Sequence, residues 1–177
     1  MTRAIDFANF FIDVANNTDD CMTNLKLNKL LYFAQAWSLA RRGKPLFSED
    51  IQAWDLGPVT PTVYREFRKY GKERIPAVVG NYDCGMFSAE ELDLLVDIVR
   101  EYGKYSAPTL VDMSHVEGGP WKETRQANKQ VIPKEKMRQY FSSLAPLRSV
   151  EISETDFIGY RDSDGYLVLP KELDDGE

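Results

Sequence analysis

Apolar and polar positions alternate with a helical period through most of the chain. Ile5, Ala8, Ile12 and Ala15 recur at spacings of three and four, with Phe7, Phe11 and Val14 widening the stripe. This pattern predicts a first helix from Thr2 to about Ala15, and the polar run Asn16-Asn17-Thr18-Asp19-Asp20 ends it. A second helix is predicted from about Asn24 to Arg42. Thr23 or Asn24 can cap it, Leu27, Leu30, Leu31, Ala34 and Trp37 form one face, and Gly43 and Pro45 stop it. Leu25, Tyr32, Phe33 and Leu39 are apolar on its other sides, so this helix should be central and contacted from several directions.

Leu46-Phe47 and Ile51 to Leu56 read as two short extended segments around Ser48-Glu49-Asp50, a small β-hairpin closed off by Gly57-Pro58. Thr60 as N-cap and Pro61 in the first turn then open a helix to about Tyr70, with Val63, Tyr64, Phe67 and Tyr70 apolar. Residues 72–87 look irregular. Ser88-Ala89-Glu90-Glu91 is a capping box for a helix with Leu92, Leu95, Val96, Val99 and Tyr102 on one face. Further helices are predicted from Ser106 to about His115, briefly from Pro120-Trp121, and from Pro133 through Leu144. After Pro146 the pattern turns β-prone, and Asp162-Ser163-Asp164-Gly165 marks the turn of a second hairpin. The fold expected is mainly α (α+β): a compact bundle of about six helices, a small β-hairpin near 46–56 and a C-terminal β-hairpin.

Charge sharpens the division. Residues 151–177 carry nine acids and two bases, a net of −7, whereas residues 1–150 are nearly neutral at +1. A helical domain over 1–146 and an acidic β-prone extension over 147–177 are therefore expected. The whole-chain charge of −6 opposes general attraction to nucleic acid or an anionic membrane. No apolar run reaches the length of a membrane span, and the N-terminus lacks the layout of a signal peptide, so a cytoplasmic product is expected. Cys21 and Cys84, the only two cysteines, are then expected to be reduced and structural.

Candidate chemistry narrows by elimination. One histidine, His115, and two cysteines are too few for a usual zinc site, and His115 reads first as a helix-end residue. The segment from Asp162 fails as a calcium loop because Leu167 stands where the sixth-position Gly is needed. There is no phosphate loop and no nucleophile elbow. No catalytic residue, metal or cofactor is implied. An enzyme would require His115 beside Cys21, Cys84 or a carboxylate in a cleft. Arg65, Arg68, Lys69, Lys72 and Arg74 form a basic cluster, of which 65, 68, 69 and 72 would share a helical face. It reads as a solvated face, as a docking face for an acidic surface of a partner or of the chain's own tail, or, with least support, as a nucleic-acid contact.

Several strings together resemble a known family. These are Lys26-Leu27-x-Lys29-Leu30-Leu31-Tyr32-x-Ala34-Gln35-x-Trp37, Gly43-x-Pro45-Leu46-Phe47, and Ile51-x-Ala53-Trp54-x-x-Gly57-Pro58-Val59-x-Pro61-x-Val63-Tyr64. Ser114-His115-x-Glu117-Gly118-x-Pro120-Trp121 and Tyr140-Phe141 follow in order. Over about residues 3–141 the chain resembles the Panacea domain, also called SocA-like or GepA-like. The resemblance implies a mainly helical antitoxin, often phage-associated, that neutralises a separately encoded toxin by direct binding. It also implies an alternative, a proteolytic adaptor delivering the toxin to a ClpX or ClpXP-type protease. Trp54, Tyr64 and Trp121 read first as core aromatics, and as binding anchors if exposed. The partner-binding candidates are Trp54, Tyr64, Arg65, Arg68 and Lys69, with Tyr160 and Tyr166 in the acidic extension.

Overall fold

The computed structural model describes residues 2–18 and 20–147, together with the backbone of 160–161 and 167–168. The chain divides into two units, Met1–Leu147 and Arg148–Glu177. Seven helices lie among the described residues of the first unit, all close to where the apolar periodicity puts them. They are α1 (Ala4–Asn16), α2 (Asn24–Arg42), α3 (Pro61–Phe67), α4 (Ala89–Tyr102), α5 (Ala107–Ser114), α6 (Pro120–Gln126) and α7 (Lys134–Ser143).

The α2 helix is the axis of the domain. Its sequence has no solvent face: 15 of its 19 residues are buried, and it packs against α1, α3, α4, α5 and α7. Thr23 caps it by accepting the Lys26 N–H at 3.2 Å, and Gly43 ends it at φ +64°. On one side Tyr32, Phe33 and Trp37 meet Phe141 of α7 and Tyr102 of α4. Phe33 stacks on Tyr102 at 4.1 Å, and the Trp37 Nε1–H donates to the Tyr102 hydroxyl at 2.8 Å. This gives a large apolar payload without an orphaned indole donor. On the other side α1 contributes Phe7, Phe11 and Ile12. Its first turn is held by two carboxylates: Asp6 accepts the Arg3 N–H and Glu49 accepts the Ala4 N–H, as the exposed donors of a helix start favour.

Two strands, β1 (Gln52–Trp54) and β2 (Gly57–Val59), pair antiparallel with Trp54 opposite Gly57. The hairpin is thus present, with its turn at Asp55-Leu56 rather than across Ser48-Glu49-Asp50. The apolar pair Leu46-Phe47 is buried, but not as a strand. Gln35 of α2 explains why. Its side-chain oxygen accepts the Leu46 N–H at 2.7 Å, and its amide donates to the Phe47 carbonyl at 2.8 Å. The backbone groups that would enter a ladder are thereby used by one side chain. Thr60 precedes α3 but does not cap it through its side chain. Asn28 holds the Thr60 N–H instead.

In the second unit, β3 (Tyr160–Arg161) and β4 (Leu167–Val168) pair antiparallel, as the β-prone pattern there predicts. The turn residues Asp162 to Gly165 and the β-prone Val150–Ser153 stretch lie outside the described residues. No helix among the described residues is long and apolar enough to cross a membrane.

Candidate protein-interaction site

The hairpin is pinned from below by the polar edge of α2. Asn24 donates to the Tyr64 carbonyl at 3.1 Å, and Asn28 accepts the Thr60 N–H at 2.9 Å. Lys29, fully buried, donates to the Pro58 carbonyl at 2.9 Å. The Asn28 amide in turn donates to the Asn24 carbonyl and side-chain oxygen, both at 2.9 Å, so these polar side chains are hydrogen-bonded inside. Gly57 is required there. Its φ is +99°, and a Cβ would stand 2.6 Å from the Lys29 Cε and 2.9 Å from the Ser114 Oγ.

A second clamp comes from α6. The Trp121 Nε1–H donates to the Trp54 carbonyl at 2.9 Å, and Arg125 donates to the Ala53 carbonyl and to Asp55 at 3.2 and 2.6 Å. The outer edge of β1 is closed by the next segment. Ala53 N–H donates to the Gln130 carbonyl, and Ile132 N–H donates to the Ile51 carbonyl. Burial pushes the Lys29 amine down to about 7. The His115 imidazole is also lowered, first by burial and then by the charge of Lys29. His115 closes α5, as its position in the sequence suggests, and stacks on Trp121 at 3.6 Å with the planes 8° apart. Lys29 is thus fully buried in the scaffold, whereas His115 is half-buried.

Above this scaffold the molecule opens. A cleft of about 890 Å³ lies between the start of α2, the hairpin, the α3 end and residues 125–130. Trp54 and Tyr64 meet edge to face on its wall at 4.9 Å. Tyr64 is 37% exposed and Leu56 63% exposed, beside the half-buried Trp54. Arg68, Lys72, Arg125 and Lys129 also line the cleft, with Asp55 the one acid among the lining residues.

The structure brings Trp54, Tyr64 and Arg68 of the candidate residues together here. Arg65 and Lys69 are exposed but do not line the cleft; the Lys69 ammonium sits 5.1 Å from the Tyr70 ring centroid. The single helical face expected over 65–72 is broken. The α3 helix stops at Phe67, a 3-10 turn carries Arg68–Tyr70, and Gly71 turns the chain at φ +56°. Lys72 is thereby put into the cleft and separated from Arg65. Tyr160 lies in β3 of the second unit, and Tyr166 is outside the described residues. Trp121 is a core residue at 8% exposure. Cys21 and Cys84 are unbridged, as expected, but exposed, which does not suit the structural part expected of them. Leu56, Arg125 and Lys129 were not legible as site residues. Only the packing of α6 against β1 brings the latter two to the hairpin.

These features define a class: a helical domain whose polar-cored hairpin holds an aromatic and cationic cleft open. Residues 27–122 match the family described as Antitoxin SocA-like, Panacea domain, and the chain belongs to that family. It is 36% identical over 123 residues to the protein named Antitoxin SocA of Caulobacter vibrioides (strain NA1000 / CB15N), an alignment covering 64% of this chain and 65% of that one. The match thus spans just under two thirds of the curated relative. No solved structure matches the chain.

Proposed function

We propose that this protein is an antitoxin that neutralises a separately encoded toxin by direct, stoichiometric binding, with the cleft as its contact face. The observation that carries the reading is the exposed Tyr64 against the half-buried Trp54, beside Arg68, on a scaffold shared with an antitoxin family. Trp, Tyr and Arg supply most of the energy at protein interfaces. The buried clamps from Asn24, Asn28, Lys29 and Trp121 fix the cleft before binding, which lowers the entropy lost on association. The reading is binding rather than catalysis, and membership of an antitoxin family supports it.

Co-expression with the product of the adjacent gene tests this. Rescue of growth together with co-purification of the two proteins is the expected result. Failure to rescue, with no complex formed, would overturn the toxin reading. Rescue accompanied by disappearance of the neighbour protein would replace neutralisation with the proteolytic-adaptor role.

A further inference from the structure

The cleft differs in sign from the chain that carries it. The molecule has a formal charge of −6, yet four cations and one acid line this opening, and that acid, Asp55, is held by Arg125 at 2.6 Å. Among the described residues Arg68, Lys72 and Lys129 make no ion pair, whereas Arg41, Lys134 and Lys136 each do. Charges are screened over about 8 Å at physiological salt, so an incoming group meets chiefly the charges that line the cleft.

The backbone around the hairpin is already committed. The outer edge of β1 pairs with residues 130–132, and on the far side of β2 Lys29 and Asn28 hold the Pro58 carbonyl and the Thr60 N–H. A partner cannot enter by adding a strand here, since the groups it would pair with are taken. The cleft offers side chains instead: apolar surface from Trp54, Tyr64 and Leu56, and ammonium or guanidinium groups around it. A long polyanion fits poorly, because the exposed Glu66 and Glu73 lie on the same stretch of chain as Arg68 and Lys72 and repel extended phosphate chains.

We infer that the cleft takes an acidic segment of the partner protein. One apolar or aromatic side chain of that segment seats on Trp54, Tyr64 and Leu56, and flanking carboxylates meet Arg68, Lys72 and Lys129. This rests on the reading above only in taking the cleft as the contact face. Charge-assisted pairs of this kind fix register and accelerate encounter, while the aromatic seat supplies affinity.

The test uses the full chain and short labelled peptides in a fluorescence anisotropy assay. The probes are a central Phe flanked by Asp and Glu, its Asn/Gln analogue, its Lys/Arg analogue, and a single-stranded oligonucleotide of similar length. The acidic peptide is expected to bind at least about tenfold more tightly than the neutral one. That advantage should shrink when salt is raised from about 50 to about 300 mM, and vanish in the Arg68→Glu/Lys72→Glu/Lys129→Glu variant. Tyr64→Ala should weaken binding at both salt concentrations. All four positions are exposed, and an unchanged circular dichroism melt verifies the fold. Equal binding of the neutral or basic peptide, absence of acidic-peptide binding, preference for the oligonucleotide, or indifference to the triple reversal would each overturn the inference. Acidic-peptide binding without rescue from the neighbouring gene product removes the toxin reading alone. Rescue that survives the triple reversal, with no peptide bound, removes this inference alone.

Discussion

Lys29 shows how one residue links the core to solution conditions. Its amine is buried with a carbonyl as hydrogen-bond partner and held near 7, against an ordinary value of 10.5. Between those values the unfolded chain binds a proton that the folded chain does not. Stability therefore rises with pH across that window and is lost as pH falls toward about 7. Tyr102 acts in the opposite sense. Burial raises its hydroxyl to about 12, so above about 10 the unfolded chain releases a proton that the folded chain keeps, and stability falls. Urea denaturation followed across pH should peak near about pH 10. Lys29→Met should flatten the rise below the peak and leave the fall above it intact; an unchanged rise would mean the amine titrates normally in the fold. Gly57→Ala tests the same contact from the hairpin side. It meets both a positive φ and the Lys29 Cε at 2.6 Å, so a loss of at least about 2 kcal/mol is expected in chemical denaturation.

The elements repeat this pattern of backbone claimed by side chains. Gln35 of α2 fixes residues 46–47, Asn9 of α1 exchanges two hydrogen bonds with Val79 in the loop before α4, and Trp121 of α6 holds β1 at Trp54. Replacing Gln35 with Leu leaves the buried Leu46 N–H and Phe47 carbonyl unpaired, and about 2–4 kcal/mol should be lost; a change under about 0.5 kcal/mol in the denaturation midpoint analysis would show that water replaces the amide. This use of buried amides also marks what the sequence discloses. The helices are legible because caps such as Ser88–Glu91 and stops such as Gly43 act within one turn of chain. The hairpin's strand register is not, since Leu46-Phe47 looks extended until Gln35, eleven residues earlier, is seen to occupy its backbone. Trp54 and Tyr64 could be proposed from the aromatic motif. Arg125 and Lys129 depend on α6 packing across β1, which no local pattern announces.

At the scale of the molecule, the core residues found among the described positions run from Ala4 to Leu147, and Met1–Leu147 forms one unit. A chain ending at Leu147 should retain its helical signal and a cooperative melt, as expected of a domain with its own core; an uncooperative melt would show that the acidic extension is needed for folding. The family relationship supplies the antitoxin context, and the cleft is the contact face proposed for it. The central claim is tested most directly by titration calorimetry of the adjacent gene's product against the full chain and against its Tyr64→Ala/Arg68→Glu variant. The account predicts stoichiometric binding to the full chain, weakened at least about tenfold in the variant while its melting temperature stays unchanged. Equal affinity for the two would contradict it.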